Sequence, residues 1–220
     1  MLLSLVCCQI GCARPTDLSH MKTILVFGDS LSAGLGINPR AAWPMLLLDK
    51  LRPISSHFRV TNASASGSTT EDGLDRLSRH LDRPIDIFVL ELGINDAWHG
   101  VPVEQIRANL QSIIDQVKAR NPSVTLVVVG MQFPLASSDV DYMTMFGKMF
   151  GELAEKNHAA LVPSLLDGVA GNPELNLPDR VHPNAAGHKI LLENVWRVLE
   201  PIARDAATSV IPSAREGSQK

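Results

Sequence analysis

Cysteine is nearly absent from this chain of 220 residues. All three cysteines, Cys7, Cys8 and Cys12, fall at its beginning. The rest of the sequence therefore has no thiol for a disulfide, a metal site or a cysteine nucleophile. No stretch approaches the ~20 consecutive apolar residues that a membrane-spanning helix needs, so we expect no transmembrane segment.

An excess of charge of one sign is also lacking. The sequence has 20 basic and 23 acidic residues, well mixed, and a net charge of −3. A basic stripe or patch is the electrostatic feature that marks a surface for nucleic acid or for an anionic membrane. The composition therefore argues against both of these partners.

The first twelve residues are apolar, but they carry no Lys or Arg and are shorter than a usual export signal. Three interpretations stay open. The segment is a degenerate signal cleaved near Ala13, a lipoprotein signal with Cys12 acylated, which Gln9 fits poorly, or an extension upstream of a start at Met21. If residues 1–20 act as a signal the protein is periplasmic or secreted, and if translation starts at Met21 it is cytoplasmic.

The length and the 45% hydrophobic content suit one well-buried core and are small for two. We therefore expect a single domain over residues 22–203. Residues 1–21 form the candidate signal or extension. Residues 204–220, rich in Ala, Ser and charged side chains, read as a flexible tail.

Apolar and β-branched runs alternate with segments of helical periodicity along the chain. Alternation of this kind predicts a parallel sheet covered on both faces, that is, a three-layer α/β/α sandwich with five strands. The predicted helices start near Asn38, Thr70, Pro102, Tyr142 and Asn184. The predicted strands are residues 24–27, 58–61, 85–90, 124–129 and 159–162.

Polar or glycine-bearing loops follow the first three predicted strands. Ser30 lies in the turn after the first strand, Gly67 in the small polar loop 62–70 after the second, and Asn95 in the turn after the third. In parallel α/β sheets ligands bind at the carboxyl ends of the strands. These three loops are therefore expected to converge on one crevice.

A serine in such a turn suits a nucleophile, although glycine-bearing turns also build phosphate-binding loops. A serine hydroxyl needs a base, usually histidine. Of the seven histidines, we single out His182, because a carboxylate, Asp179, lies three residues before it in an irregular segment that ends at a helix cap. Asp179 would orient the imidazole of His182 toward Ser30. In isolation the pattern also fits a surface turn with a helix cap.

Acyl transfer also needs donors for the oxyanion that forms when a carbonyl is attacked. The Ser30 N–H, the Gly67 N–H and the side-chain amide of Asn95 suit this role. Gly67 and Asn95, each taken alone, are equally typical of turns.

Four motifs now stand in order along the chain. They are GDSL at 28–31, NASASG at 62–67, GIND at 93–96 and DRVHPN at 179–184. In this order and setting they resemble the GDSL, or SGNH, hydrolases, and within them the bacterial group of acyl-CoA thioesterase I, lysophospholipase and arylesterase. The resemblance covers residues 22–202, and it implies a flavodoxin-like sandwich.

The resemblance implies a serine hydrolase that cleaves small acyl esters or thioesters through an acyl-Ser30 intermediate, with no cofactor and no metal. His182 would serve as base and then acid, Asp179 as the orienting carboxylate, and Gly67 and Asn95 would complete the oxyanion hole with the Ser30 N–H. Asp29 and Asp96 would be turn-stabilising acceptors. Trp98 and His99 depart from the pattern, because small residues there would suit a mobile substrate loop.

Two other functions compete with this one. A carbohydrate O-acetylesterase of the same family would use the same residues on acetylated sugars. A non-catalytic flavodoxin-like domain would bind a nucleotide phosphate at the Ser30 turn. Against this second function, the sequence has neither the lysine of a P-loop nor the glycine spacing of a dinucleotide-binding motif. A nucleotide-binding domain would also leave Asp179 and His182 without a role.

Apolar residues in loops near the crevice suggest an acyl channel, since exposed apolar patches commonly mark binding sites. The alternative is that these side chains only cover the last helices. The candidate channel residues are Trp98, Met131, Phe133, Leu135 and Met143.

Overall fold

The computed structural model of the protein describes residues 21–132 and 140–208. The three interpretations of the amino-terminal segment lie outside the described residues. So do two candidate channel residues, Phe133 and Leu135.

Five parallel strands form one sheet in the order β2-β1-β3-β4-β5. Both faces of the central strands are covered, since residues 24–27 and 87–91 are at most 3% exposed. Uninterrupted apolar runs are what a strand buried on both faces requires. The strands are β1 (Lys22–Gly28), β2 (Phe58–Asn62), β3 (Ile87–Glu91), β4 (Thr125–Val129) and β5 (Ala160–Val162).

Helices cover the sheet on both sides and complete the predicted three-layer α/β fold. Helices α2 and α7 pack against each other on one side, and α3, α5 and α6 pack side by side on the other. The α-helices of the described residues are α1 (Ser30–Ala33), α2 (Trp43–Leu51), α3 (Thr70–Leu77), α4 (Ile94–Trp98), α5 (Val103–Arg120), α6 (Val140–Asn157) and α7 (Ala185–Thr208).

The helix predicted to start near Asn38 begins later. Asn38 caps a short 3₁₀ turn, Pro39–Ala41, by accepting from the Arg40 N–H at 2.9 Å. The α-helix itself starts at Trp43. Pro44 explains the break, because a proline inside a helix removes one backbone hydrogen bond and clashes with the carbonyl four residues earlier, whereas the first turn tolerates it.

The last helix is longer than predicted. It runs to Thr208 and carries Pro201 internally, whereas the sequence suggested a flexible tail from about residue 204. Ala203 is fully buried, and Ala206 and Ala207 pack partly against the core. This packing stabilises an additional helical turn that composition alone did not indicate. In the described part of the chain, no helix combines the length and apolarity needed to cross a bilayer.

Candidate active site

Ser30 is the first residue of α1, and a single residue, Asp29, separates it from the end of β1. The Asp29 carboxyl group caps this short helix, with its Oδ1 accepting from the Leu31 N–H at 2.9 Å. Gly34, in the left-handed conformation, ends it. The sharp strand-to-helix turn holds Ser30 at the carboxyl edge of the sheet with only 5% of its surface exposed.

A fully buried carboxyl group, that of Glu91, supports this turn from β3. Its Oε2 accepts from the Ser32 hydroxyl at 2.6 Å and from the Asp29 N–H at 3.3 Å. The approach requires glycine at position 28, since a Cβ there would lie 2.4 Å from Glu91 Oε2. Burial raises the pKa of Glu91 well above its ordinary value, and the Asp29 carboxyl raises it further. Burial also raises the pKa of Asp29.

Arg76 of α3 joins the ends of the first two strands. Its guanidinium donates to the Gly28 carbonyl at 2.7 Å and to the Ala63 carbonyl, and it lies 3.8 Å above the centre of the Phe27 ring. The Ser30 turn and the Gly67 loop therefore share one fixed cation. No pattern in the sequence singled out Arg76 or Glu91.

Asp179 and His182 form a compact turn before α7. One carboxylate oxygen of Asp179 accepts from the backbone N–H groups of Val181 and His182 at 2.9 and 3.0 Å, and the other contacts His182 Nδ1 at 2.8 Å. Burial tends to raise the pKa of Asp179, but hydrogen bonds from these N–H groups and from the His182 imidazole lower it to about 2. Asp179 is therefore a carboxylate at neutral pH.

The fold brings Ser30 and His182, 152 positions apart, into contact. Ser30 Oγ lies 3.0 Å from His182 Nε2. Because the Asp179 carboxylate accepts from Nδ1–H, Nε2 is left as the acceptor for the serine hydroxyl. The three residues predicted to act together thus lie in one hydrogen-bonded line.

The three predicted oxyanion donors differ in their present partners. Among the described residues, the backbone N–H groups of Ser30 and Gly67 donate to no protein acceptor. Gly67 lies in an exposed turn at φ 79°, a conformation that favours glycine. The Asn95 amide donates to the Ser68 carbonyl at 2.9 Å and to Asp29 Oδ2 at 3.3 Å.

Asp96, beside Asn95, ties two of these loops together. Its carboxylate accepts from the Thr70 N–H at 2.8 Å and from the Thr70 hydroxyl at 2.6 Å. Thr70 is the first residue of α3 and directly follows the Gly67 loop. Asp96 thus holds that loop against the Asn95 turn, as a turn-stabilising acceptor does.

An open cleft of about 240 Å³ adjoins Ser30 and His182. Trp98, one of the candidate channel residues, is 52% exposed and forms part of its wall. Four apolar wall residues were not predicted. Three of them lie inside the sequence motifs, next to the polar site residues. The fourth lies in the irregular segment between β5 and Asp179, where no sequence pattern indicated it. They are Leu31, Ile94, Val181 and Leu166.

Two candidate channel residues do not line this cleft. Met131 follows β4 and is fully buried in the hydrophobic core. Met143 lies on α6 and packs against the core. Packing against the core accounts for the apolar character of these two positions. Within the described residues, no group of three His, Cys, Asp or Glu side chains could hold a metal ion.

Residues 26–190, well over half of the chain, match the sequence model of the GDSL-like lipase/acylhydrolase family. The chain belongs to this family. Esterase TesA of Pseudomonas aeruginosa is 37% identical over 189 residues, which are 85% of this chain and 92% of that protein. The thioesterase 1/protease 1/lysophospholipase L1 of Escherichia coli K12 is 34% identical over 181 residues, 82% of this chain and 84% of that protein.

Solved structures agree with the sequence relatives. A crystal structure of TesA superimposes with a TM-score of 0.77 at 36% identity, covering 82% of this chain and 99% of that one. The resemblance inferred from the four motifs is confirmed, and so is the expectation of an enzyme. The chain is a hydrolase of the GDSL family.

Proposed function

We propose that the chain hydrolyses carboxylic esters and thioesters through a covalent acyl-Ser30 intermediate. The observation that carries this proposal is the line of hydrogen bonds from Ser30 Oγ to His182 Nε2 (3.0 Å) and from His182 Nδ1 to Asp179 Oδ2 (2.8 Å). A weak nucleophile, a base and an orienting carboxylate in this arrangement are the groups that acyl transfer requires.

In the first half-reaction, Ser30 Oγ attacks the carbonyl carbon while its proton passes to His182 Nε2. The resulting imidazolium is stabilised by the Asp179 carboxylate. The tetrahedral intermediate then expels the alcohol or thiol, which takes the proton from Nε2. Ser30 is left acylated.

In the second half-reaction, water attacks the acyl carbon and gives a proton to His182 Nε2. Collapse of the second tetrahedral intermediate breaks the bond to Ser30 Oγ, which recovers its proton from Nε2. The carboxylic acid leaves, and the enzyme returns to its initial state.

Both intermediates carry a negative oxygen, for which Ser30 N–H, Gly67 N–H and the Asn95 amide are the donors. Within residues 21–132 and 140–208, the two backbone donors have no protein acceptor to give up. Asn95 would exchange its longer contact, 3.3 Å to Asp29 Oδ2, for the oxyanion. Removing one such donor in other enzymes costs roughly 2.7–4 kcal/mol of transition-state stabilisation.

The cleft favours an apolar acyl group. Leu31, Ile94, Leu166 and Val181 line it together with the exposed ring of Trp98. Burying hydrocarbon against such a wall contributes about 25 cal/mol per Å². The relatives that are named esterase and thioesterase/lysophospholipase are consistent with acyl substrates of this kind.

Ser30→Ala tests the proposal. We expect this variant to fold normally and to lose hydrolysis of p-nitrophenyl acyl esters, and a phosphonate probe to label the wild type at Ser30 only. Retention of full activity by the variant would refute the acyl-Ser30 intermediate. A series of acyl esters and acyl-CoAs of graded length then tests the cleft. Turnover restricted to acetylated sugars would favour the carbohydrate O-acetylesterase instead.

A further inference from the structure

A second cavity, of about 360 Å³, lies away from the Ser30 cleft. Its walls come from the first half of β1, from the edge strand β2 and from residues 79–85 after α3. The two cavities share no lining residue. Ser30 and its neighbours lie at the carboxyl end of β1, whereas Thr23 and Leu25 of this cavity lie in the amino-terminal part of the strand.

Among the described residues that line this cavity, three are arginines, Arg59, Arg79 and Arg83, and one, Asp82, carries a carboxylate. Among the described residues, none of the three arginines has a carboxylate oxygen within 4.0 Å. Their clustering contrasts with the net charge of −3 of the chain. It arises in part from folding, which brings Arg59 of β2 beside Arg79 and Arg83, two residues that are already close in sequence.

Asp86, just before β3, does not pair with the three arginines of the cavity. Asp86 is engaged elsewhere, since its carboxylate accepts from Lys22 Nζ at 3.1 Å and from the Thr23 N–H at 2.8 Å. The pKa of His80, in the cavity wall, is affected by the positive charge around it. Burial lowers the pKa of His80, and the charges of Arg76 and Arg79 lower it further.

One of the three cations is already oriented. Arg59 donates from a terminal nitrogen to Thr23 Oγ1 at 3.1 Å, and Thr23 is only 7% exposed. The guanidinium is therefore held by a nearly buried hydroxyl on the next strand. A planar guanidinium fixed in this way is suited to bidentate contact with phosphate oxygens.

Beside the cations, the cavity has an apolar wall. Leu25 and Ile85 are 3% and 5% exposed, and the ring of Pro84 adjoins them. Because Leu25 and Ile85 have little exposed surface left, the exposed ring of Pro84 is the part of this wall that the organic part of a phosphate ester would cover and that an inorganic ion would not. The volume lies near the lower end of the ~300–1,000 Å³ range of ligand pockets, which limits the ligand to a small molecule.

We propose that this cavity binds a small organic phosphate, with the phosphoryl group on Arg59, Arg79 and Arg83 and the organic part against Leu25, Pro84 and Ile85. The ligand is bound and not hydrolysed there, because neither Ser30 nor His182 reaches the cavity. This site is additional to the proposed ester hydrolysis and does not depend on it.

The test compares AMP, ribose 5-phosphate, inorganic phosphate and adenosine by isothermal titration calorimetry at low ionic strength. The variant Arg79→Gln/Arg83→Gln removes two cations that are both exposed, so the fold should persist. The matched control Arg40→Gln/Arg197→Gln removes two exposed arginines elsewhere. Ester hydrolysis should stay unchanged in both variants, and Ser30→Ala should bind the phosphates as the wild type does.

We expect at least one organic phosphate to bind more tightly than inorganic phosphate and adenosine. We expect Arg79→Gln/Arg83→Gln to weaken that binding by roughly tenfold per arginine and the control to leave it unchanged. Four results would each overturn the proposal. These are no binding of either organic phosphate, equal binding of inorganic phosphate, equal binding of adenosine, and unchanged binding in Arg79→Gln/Arg83→Gln.

Discussion

Acidification should destabilise the fold through one buried histidine, His188. This residue lies on α7 and is 1% exposed. Its Nδ1 accepts from the Trp43 N–H at 3.2 Å. Trp43 begins α2, where Ala42 offers no side-chain cap, so the imidazole satisfies an N–H that the helix leaves free. Only the neutral imidazole can accept this bond.

The magnitude follows from the pKa. Burial lowers the pKa of His188 from 6.5 to about 4. Below pH 6.5, His188 is therefore protonated in the unfolded chain, whereas in the folded chain it stays neutral down to about pH 4. The free energy of unfolding falls as the pH falls through this range. At 1.36 kcal/mol per pKa unit, the stability that is fully present above pH 6.5 declines by about 3 kcal/mol at pH 4.

The assay is urea unfolding at several pH values between 7 and 4, for the wild type and for His188→Asn. An asparagine Oδ1 can occupy the position of Nδ1 and accept the Trp43 N–H, but it does not titrate. Other groups contribute equally to both curves, so the difference in slope isolates His188. If both proteins lose the same free energy of unfolding between pH 7 and pH 4, the reasoning is wrong.

Four further substitutions, at three positions, test the site. Asp179→Asn should keep the backbone hydrogen bonds of the turn but donate to His182 Nδ1, which places the proton on Nε2, where it faces Ser30. We expect kcat to fall by about 10³–10⁴ with an unchanged circular dichroism spectrum, and a loss below tenfold would contradict the role of Asp179. Asn95→Ala should lower kcat by about 10²–10³ with little change in KM, and a loss confined to KM would speak against an oxyanion donor. Glu91→Gln should retain most of the activity, because its amide oxygen still accepts from Ser32, whereas Glu91→Ala leaves buried donors unpaired at about 1–3 kcal/mol each. If kcat and the free energy of unfolding in urea fell equally in both Glu91 variants, the role of Glu91 as a hydrogen-bond acceptor for Ser32 would not explain its effect.

The parts of the fold that the sequence predicted are those set by local pattern. The short apolar run that ends at Gly28 is typical of a strand buried on both faces, and the alternation of strand and helix leaves few topologies for the chain. The Ser30 turn and the Asp179 to His182 segment were predicted because short motifs encode their hydrogen bonds within a few residues.

What the sequence could not predict depends on register and on tertiary packing. Because the predicted third strand ended at residue 90, Glu91 was expected in the turn that follows it. Its burial follows from the pairing of Gly28 with Glu91 between β1 and β3. Met131 read as a channel residue, because an apolar side chain after a strand can face either a cleft or the core. The grouping of Arg59, Arg79 and Arg83 likewise appears only when β2 and the segment after α3 come together.

The carboxyl groups of Asp29 and Glu91 raise an electrostatic question for the proposed chemistry. Two buried negative charges beside the donors of the oxyanion hole would oppose the negative oxygen of each tetrahedral intermediate. Burial raises the pKa of both groups and so favours their neutral forms, while Arg76 adds a positive charge close to both. A neutral acid still accepts the hydrogen bonds that shape the Ser30 turn. The Glu91 carboxyl group can therefore act as a neutral scaffold, whereas Asp29, with a pKa of about 7, is partly ionised at neutral pH, and the nearby charge of Arg76 offsets its effect on the proposed Ser30, Gly67 and Asn95 donors.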